Sequence, residues 1–291
     1  MADPVVVTGG SGFLGGAIAR RLGTRATVSQ GRGDLADVLG RTKKASAIVH
    51  AGFHVDFAPL VDPLDGDPHG NLSSFDRVLR FSEDRSCPLV FLSAAGALGV
   101  SVLPRARNED DVGTTDEGFD AYRDTRYIQE KLACEDRIAA STAPWTILYP
   151  STVYGPGMDA GTLRSAASER PIRVVPPGGT SWLALEDFLR AVDRVLERTA
   201  SGERYVLNGG NLRYADLVRA GAHARGQKVR VVSLPQRSRG VLPAVGDRMS
   251  VAPAILDSAF GYKYYSSARA YRTLGWRPEA ELEATLRDAM T

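Results

Sequence analysis

The sequence is poor in cysteine and contains no long apolar run. Cys87 and Cys134 are the only cysteines among 291 residues, and neither has the spacing of a disulfide framework or a metal site. Two isolated thiols are typical of a reducing compartment. No stretch approaches the roughly 18 apolar residues that span a bilayer, and the N-terminus has no signal-peptide pattern. We therefore predict a cytoplasmic protein that contacts no membrane.

The sequence also has no marked excess of positive or negative charge. The formal net charge is +2 and the arginines form no dense run, so nothing favours nucleic acid as a partner. The chain has only five lysines against 31 arginines, with frequent Ala and Gly, which is typical of GC-rich coding DNA. A hydrophobic content of 43% at this length suits one large domain or a two-lobed one.

Short apolar segments alternate with helical patterns along much of the chain. Strands are predicted at 4–7, 26–29, 47–50, 89–93, 145–149 and 204–207. Helices are predicted at 12–22, 72–82, 127–140 and 186–198. Because alternating strands and helices form parallel sheets covered on both faces, we expect an α/β fold with a doubly wound parallel sheet of the Rossmann type.

A second, smaller C-terminal lobe is expected, because the alternation weakens after about residue 154. The later sequence predicts a helix after 211, a strand at 229–234 and a final helix near 279–289. We assign residues 1–154 and about 181–208 to the dinucleotide-binding domain. The predicted substrate-binding lobe comprises about 155–180 and 209–291.

The strongest local signal is the segment VVVTGGSGFLGG at residues 5–16. A strand leads into Gly9-x-x-Gly12-x-x-Gly15, and a helix follows. The first glycine allows a tight turn, the second lets the backbone approach a pyrophosphate, and the third lets helix and strand pack closely. The free N–H groups at the helix N-terminus favour the phosphates. The predicted cofactor contacts here are Thr8, Gly9, Ser11, Gly12, Phe13, Leu14 and Gly15.

The end of the second strand favours NADP over NAD. Gln30 stands where an acidic residue would hold the ribose 2′-hydroxyl of NAD, and Arg32 follows, where it could accommodate the 2′-phosphate of NADP. Asp34 and Leu35 begin the next segment, and we expect them beside the adenine. The predicted cofactor is therefore NADP, with NADPH preferred over NADH.

These motifs resemble those of the extended short-chain dehydrogenases/reductases, the group containing sugar-nucleotide epimerases, dehydratases and ketone reductases. The similar segments are TGGSGFLG, AIVHAG, HGNLSSFDRVL, TILYPSTVYGPG, WLALEDFLRAVDRVLE and LGWRPEAELEATL, and the resemblance covers nearly the whole chain. It implies that Ala51, Gly52 and Phe53 pass under the cofactor and that Pro150, Ser151, Thr152 and Val153 line the nicotinamide. It also implies that Asn71 supports the active site.

The resemblance further implies catalysis by Ser or Thr, Tyr and Lys. Two registers compete within FDAYRDTRYIQEKLACE: Tyr127 with Lys131, and Tyr122 with Arg126. We prefer the first, because it contains the lysine and because Glu135 follows four residues later, as in the family. Tyr127 would then give or take the substrate proton, while Lys131 lowers the pKa of the phenol and binds the nicotinamide ribose.

The serine of that set has no clear equivalent. Its position falls on Ala94, and Ser93, which we keep among the catalytic candidates, should point to the opposite side of its strand. Candidate donors in its place are Ser151, Thr152, His54 and Asp56. A substrate with a hydroxyl beside its ketone could also polarise that ketone itself.

The expected function is reduction of a ketone in a bulky small molecule, as by a ketoreductase that tailors an aromatic polyketide or other secondary metabolite, for example in antibiotic biosynthesis. One alternative is a nucleotide-sugar epimerase or dehydratase with bound NAD, in which Arg237 and Arg239 could bind the diphosphate. Another is a non-catalytic NADP sensor that binds a protein partner. We expect no metal, and a homodimer remains open.

Overall fold

The computed structural model describes residues 3–60, 66–158, 170–198, 202–241 and 252–291. Its strands are β1 (Val5–Thr8), β2 (Ala26–Ser29), β3 (Ala47–His50), β4 (Leu89–Leu92), β5 (Trp145–Pro150), β6 (Thr152–Tyr154), β7 (Ile172–Val175), β8 (Gly179–Ala184), β9 (Glu203–Leu207), β10 (Gly210–Arg213) and β11 (Arg230–Ser233). Its helices are α1 (Phe13–Leu22), α2 (Arg32–Arg41), α3 (Asn71–Arg85), α4 (Asp120–Arg123), α5 (Arg126–Ala139), α6 (Leu185–Leu196), α7 (Tyr214–Ala224), α8 (Pro253–Ser258) and α9 (Leu282–Ala289).

The central element is a six-stranded sheet with the order β2-β1-β3-β4-β5-β9, and all of its pairs are parallel. Each of the six strands coincides with a predicted one to within about a residue at either end. The predicted doubly wound parallel sheet is therefore confirmed. Strands β1, β3 and β4 are buried along their whole length, because helices cover both faces.

Two hydrophobic cores lie on the opposite faces of this sheet. Alternate strand residues such as Val6, Ile48 and Phe91 face one core, which the buried sides of α2, α3 and α5 complete. Val7 and Val49 face the other core, with α1 and α6. The alternation follows from the period of two in a strand. It determines which side chains at the strand ends can meet.

Helix α2 was not predicted from the sequence. Its apolar residues Leu35, Val38 and Leu39 have helical spacing and are buried, but Gly33 and Gly40 weaken the pattern. Helix α2 leads into β3, which pairs with β1 on the side away from β2, so that β2 is the edge strand.

The C-terminal part contains two small sheets. One has the order β10-β8-β6 and the other pairs β11 with β7. The predicted strand at 229–234 and the predicted final helix correspond to β11 and α9, whereas the sequence did not reveal β6, β7, β8 or β10. These strands are short and pair within small sheets, so their local patterns are weak. The proposed division into domains stays a prediction.

Across the described ranges, no helix combines the length and apolarity needed to cross a membrane.

Candidate functional site

An open cleft lies where the sheet order reverses, at the carboxyl ends of β1 and β3. Strand β1 lies between β2 and β3, so the chain passes to one side of β1 and then to the other. Such a reversal is where open α/β sheets bind their ligands. The cleft is lined by Thr8, Gly9, Ser11, Gly12, Ser29, Gln30, Gly31, Arg32, Leu35, His50, Ala51, Gly52, Phe53, His54 and Ser74. Many of the predicted cofactor residues therefore meet here.

The glycine-rich loop is held in place by close backbone contacts. Gly9 has φ +74°, and a Cβ at this position would lie 2.5 Å from Cα of Gly52. A Cβ on Gly15 would lie 2.2 Å from the carbonyl oxygen of Gly9. Gly12 differs, because an added Cβ would have only one neighbour, at 3.3 Å. Packing therefore requires the first and third glycines, and the second leaves an open approach to the backbone.

Helix α1 begins directly after Gly12 and has no acidic residue in its first turn. Its first N–H groups, from Phe13 onwards, have no partners within the helix and carry the positive end of its dipole. The loop is fixed to the end of β2, because the Ser11 amide and hydroxyl both donate to the carbonyl of Gln30. A cradle of this kind fits the pyrophosphate of a dinucleotide.

Asp34 does not occupy the place expected for it beside the adenine. Its carboxylate accepts hydrogen bonds from the amides of Gln30 and Gly31 and from the hydroxyl of Ser29. The bond from the Gln30 amide, followed by those from Ser29 and Gly31, lowers the pKa of the carboxyl. Asp34 thus caps α2 and does not line the cleft. We withdraw it as a cofactor ligand, whereas Leu35 and Arg32 do line the cleft.

The side-chain amide of Asn71 makes four hydrogen bonds, all to other groups of the protein. Its Oδ1 accepts from the Arg32 guanidinium at 2.9 Å and from the amide of His54 at 2.8 Å. Its Nδ2 donates to the carbonyl of His54 and to the buried carboxylate of Glu130. Asn71 is fully buried. It therefore positions the loop after β3 and Arg32, a supporting role of the kind that the resemblance implies, and it has no free polar atom to offer a substrate.

Tyr127 and Lys131 lie one turn apart on α5, near the end of β4. The Lys131 ammonium donates to the carbonyl of Leu92 at 2.6 Å. It also lies 3.7 Å from the ring centroid of Phe53, which lines the cleft. Burial lowers the pKa of Lys131 to about 7, although Cys134, Glu135 and Glu130 act in the opposite direction. At neutral pH this amine can therefore both hold and release a proton.

Tyr127 sits against two aromatic rings, edge-on to Phe53 at 5.9 Å and to Phe57 at 5.2 Å. Burial raises the pKa of its phenol to about 12. In this structure Tyr127 is therefore a neutral phenol at physiological pH, able to donate a proton. The expected lowering of its pKa by Lys131 is absent from this arrangement, where the ammonium is bound to the Leu92 carbonyl.

The competing pair, Tyr122 with Arg126, is not a functional pair in this structure. The Arg126 guanidinium lies 3.6 Å from the Glu130 carboxylate and 3.8 Å from that of Asp56. The Tyr122 ring is buried against Phe57, which also contacts Tyr127, and makes no contact with Arg126 that the structure records. Arg126 thus belongs to a chain of polar contacts that continues through Asp56 to His69. The placement agrees with the preference for Tyr127 and Lys131, whose catalytic role stays a prediction.

Ser93 is not placed for catalysis. Its hydroxyl donates to the buried carboxylate of Glu135 at 2.6 Å, and Tyr149 donates to the other oxygen of the same carboxylate. Burial raises the pKa of Glu135, and these two hydrogen bonds oppose the rise. The prediction that included Ser93 is corrected, because its hydroxyl is bound to the buried Glu135 carboxylate. Position 94 carries an alanine.

Most of the other candidate donors are occupied or lie outside the cleft. Ser151 is buried and donates to Asn208, and Asp56 accepts from the Ala58 amide and binds His69. His54 does line the cleft, with its ring 4.1 Å from that of His69. The segment Pro150, Ser151, Thr152 and Val153 joins β5 to β6 and does not line this cleft. Its contact with the nicotinamide stays a prediction.

Sequence reasoning missed His50, a polar residue in the floor of the cleft. Its Nδ1 pairs with the Thr8 hydroxyl at 2.7 Å, and its Nε2 has no partner among the described residues. Burial, followed by the charges of Lys131 and Arg32, lowers its pKa to about 3, so the ring is neutral. A histidine that ends an otherwise apolar buried strand was the available signal.

A sequence model of the NAD dependent epimerase/dehydratase family matches residues 5–208, which is more than half of the chain. The chain belongs to the NAD-dependent epimerase/dehydratase family. Membership agrees with the resemblance drawn from the motifs, and the cleft supplies a fitting site for a nicotinamide dinucleotide. Among curated proteins, none matches the sequence significantly.

Solved structures share the fold over the whole chain. The structure of gox2253 is 22% identical and covers 99% of this chain and 97% of its own, with a TM-score of 0.74. UDP-glucose 4-epimerase of Thermus thermophilus, solved with NAD, is 18% identical over 98% and 97%, with a TM-score of 0.70. RMD from Pseudomonas aeruginosa, solved with NADPH, is 19% identical over 100% and 97%, with a TM-score of 0.71. At these identities the similarity shows the fold alone.

Proposed function

We propose that this family member interconverts a secondary alcohol and a ketone in a small-molecule substrate, using NAD(P). The observation that carries the proposal is the position of Tyr127 and Lys131 on α5. Lys131 binds the Leu92 carbonyl at the end of β4 and contacts Phe53 in the cofactor cleft. A proton donor therefore lies close to the place where the fold family binds its cofactor.

In this proposal Tyr127 holds the proton that the substrate oxygen gains or loses. The phenol is neutral at working pH because burial raises its pKa to about 12. Lys131, with its pKa near 7, can replace the proton or accept it. The bound nicotinamide would supply or accept the hydride. Phe53 and Phe57 pack edge-on against the ring of Tyr127 and hold the phenol in place.

NADP is the proposed cofactor. Gln30 and Arg32 line the cleft at the end of β2, and no acidic side chain is among the lining residues. Asp34, a nearby carboxylate that could have favoured NAD, is committed to capping α2. A positive guanidinium without a competing carboxylate favours a 2′-phosphate.

The cofactor preference is tested by replacing Arg32 with alanine and measuring both cofactors by fluorescence titration. We expect Arg32→Ala to weaken NADP⁺ binding about 10- to 100-fold and to change NAD⁺ binding little, since hydrogen bonds to charged groups are worth roughly 1.5–3 kcal/mol. Arg25→Ala, at an exposed position, is the control. An equal loss for both cofactors would mean that Arg32 only supports Asn71.

For the substrate, the family match supports a nucleotide sugar better than the polyketide ketone expected from the sequence. The similar structure from Thermus thermophilus is named a UDP-glucose 4-epimerase. The similar structure of RMD was solved with NADPH. Arg239 offers little support for diphosphate binding, because Asp257 and the Gly118 carbonyl already engage its guanidinium. We therefore propose an epimerase/dehydratase-type reaction first and a ketone reductase second.

The deciding experiment has two assays on the same purified protein. UDP-glucose and dTDP-glucose are incubated with it and examined by NMR for epimerised or dehydrated products. NADPH oxidation is followed with 9,10-phenanthrenequinone, a general ketone probe. We expect Tyr127→Phe to lower kcat about 10²- to 10⁴-fold in whichever assay shows turnover, and Tyr205→Phe, a buried phenol in the other core, to change it little. No turnover in either assay, or an active Tyr127→Phe, would refute the proposal.

A further inference from the structure

A second phenol, that of Tyr122, lies beside the segment that lacks the expected hydroxyl. Its Oη is so close to Gly96 that a Cβ on that glycine would lie 2.4 Å away. Gly96 follows Ala94 by two residues, directly after β4. Only a glycine at position 96 leaves room for the tyrosine. The Tyr122 hydroxyl therefore lies beside the segment that follows β4, two residues after the position of the missing serine.

Tyr122 and the proposed proton donor, Tyr127, contact the same aromatic residue, Phe57. Phe57 stacks on the Tyr122 ring at 6.3 Å and meets the Tyr127 ring edge-on at 5.2 Å. Burial raises the pKa of Tyr122, and the nearby Tyr127 adds to the rise. The two phenols thus lie on either side of one aromatic residue.

A partly buried lysine from the C-terminal part of the chain faces Tyr122. The Lys263 ammonium lies 5.2 Å from the centroid of the Tyr122 ring and 6.0 Å from that of Tyr214. It donates to the Ser258 hydroxyl at 3.1 Å. Within the part of the chain that the structure describes, it makes no ion pair with a carboxylate. A cation left beside a phenol makes the phenol O–H a stronger hydrogen-bond donor.

We propose that Tyr122 donates a hydrogen bond to the substrate oxygen, in place of the hydroxyl missing at Ala94, and that Lys263 acts through it as a positioning residue. This inference rests on the proposed alcohol–ketone chemistry. Tyr127 moves the proton, and Tyr122 keeps its own while it holds the oxygen in line. Two phenols would then do the work of one phenol and one serine.

The test restores the serine. NADPH oxidation with 9,10-phenanthrenequinone, or sugar turnover if that is the active assay, is measured for Tyr122→Phe alone and combined with Ala94→Ser. We expect Tyr122→Phe to lower kcat/KM about 10²-fold, as for removal of one donor to a reacting oxygen. Ala94→Ser should recover at least tenfold in that background and change the wild type little. Tyr205→Phe is the matched loss of a buried phenol hydroxyl.

Lys263 is examined in a double-mutant cycle. Lys263→Met should lower kcat/KM in the wild type but not in the Tyr122→Phe background, whereas a purely structural role would lower both equally. Thermal unfolding accompanies every variant. If Tyr122→Phe fails to fold, Gly96→Ala serves instead, since its methyl group must displace the Tyr122 hydroxyl.

The outcomes separate this inference from the proposed function. Wild-type activity in Tyr122→Phe, or no recovery by Ala94→Ser, overturns the role of Tyr122 and leaves Tyr127 as donor. An active Tyr127→Phe overturns the proposed function while the Tyr122 result still stands on its own. A wild type without turnover on the quinone and both sugar nucleotides overturns both.

Discussion

Replacing Lys131 with methionine should abolish activity and yet make the protein more stable. The lysine is 3% exposed, and its pKa is lowered from 10.5 to about 7, mainly by burial. A folded-state pKa below the unfolded one means that the unfolded chain binds more protons between pH 7 and 10.5. Wild-type stability therefore carries a penalty that is complete below pH 7 and fades as the pH rises towards 10.5.

The size of the effect follows from the shift. At roughly 1.4 kcal/mol per pKa unit, 3.5 units correspond to about 5 kcal/mol below pH 7 and about 4 kcal/mol at pH 7. Methionine loses the hydrogen bond to the Leu92 carbonyl and the contact of the ammonium with Phe53. Those losses cost about 2 kcal/mol together. The expected net gain in the free energy of unfolding is about 2 kcal/mol at pH 7.

Equilibrium urea unfolding, followed by circular dichroism at pH 6, 7.5 and 9, measures this gain. Lys131→Met should exceed the wild type most at pH 6 and least at pH 9. Lys44→Met, at an exposed position, should show no such trend. A Lys131→Met protein that is less stable than the wild type at pH 6, or a difference that does not depend on pH, would refute the burial argument.

Three further substitutions test the placements of Ser93, Asp34 and Gly9. Ser93→Ala should lower the free energy of unfolding by about 1–3 kcal/mol, because it leaves a buried carboxylate oxygen without its donor, and kcat/KM should stay unchanged in the active assay. Asp34→Ala should lower the free energy of unfolding by about 1 kcal/mol through loss of the cap, and it should not weaken NADP⁺ binding. This stability difference should shrink at acidic pH, because the wild-type carboxyl is then protonated. Weaker NADP⁺ binding would reinstate Asp34 as a ligand. Gly9→Ala should destabilise the protein and abolish cofactor binding in titrations, since its Cβ meets Gly52. Gly40→Ala, whose Cβ meets nothing within 4 Å and which does not line the cleft, should do neither.

The sequence by itself determined the central sheet and the phosphate loop. Each strand of the sheet is a short apolar run. Such a run indicates a strand buried on both faces whichever strands it pairs with, so the strand can be predicted from its local sequence. The glycine loop is equally local, because the turn at Gly9 and the contact of Gly15 with it lie within seven residues. The small sheets of the C-terminal part were missed, since short strands carry little pattern.

Only the tertiary structure decided which polar side chains are free to act. Ser93, Asp34 and Asn71 all looked available, but each is held by partners in the fold. Three of these contacts join residues far apart in the sequence: Ser93 with Glu135, Arg32 with Asn71, and Tyr122 with Lys263. Hydrogen bonds and burial depend on distances in space, and residues far apart in the chain give no local sign of their partners.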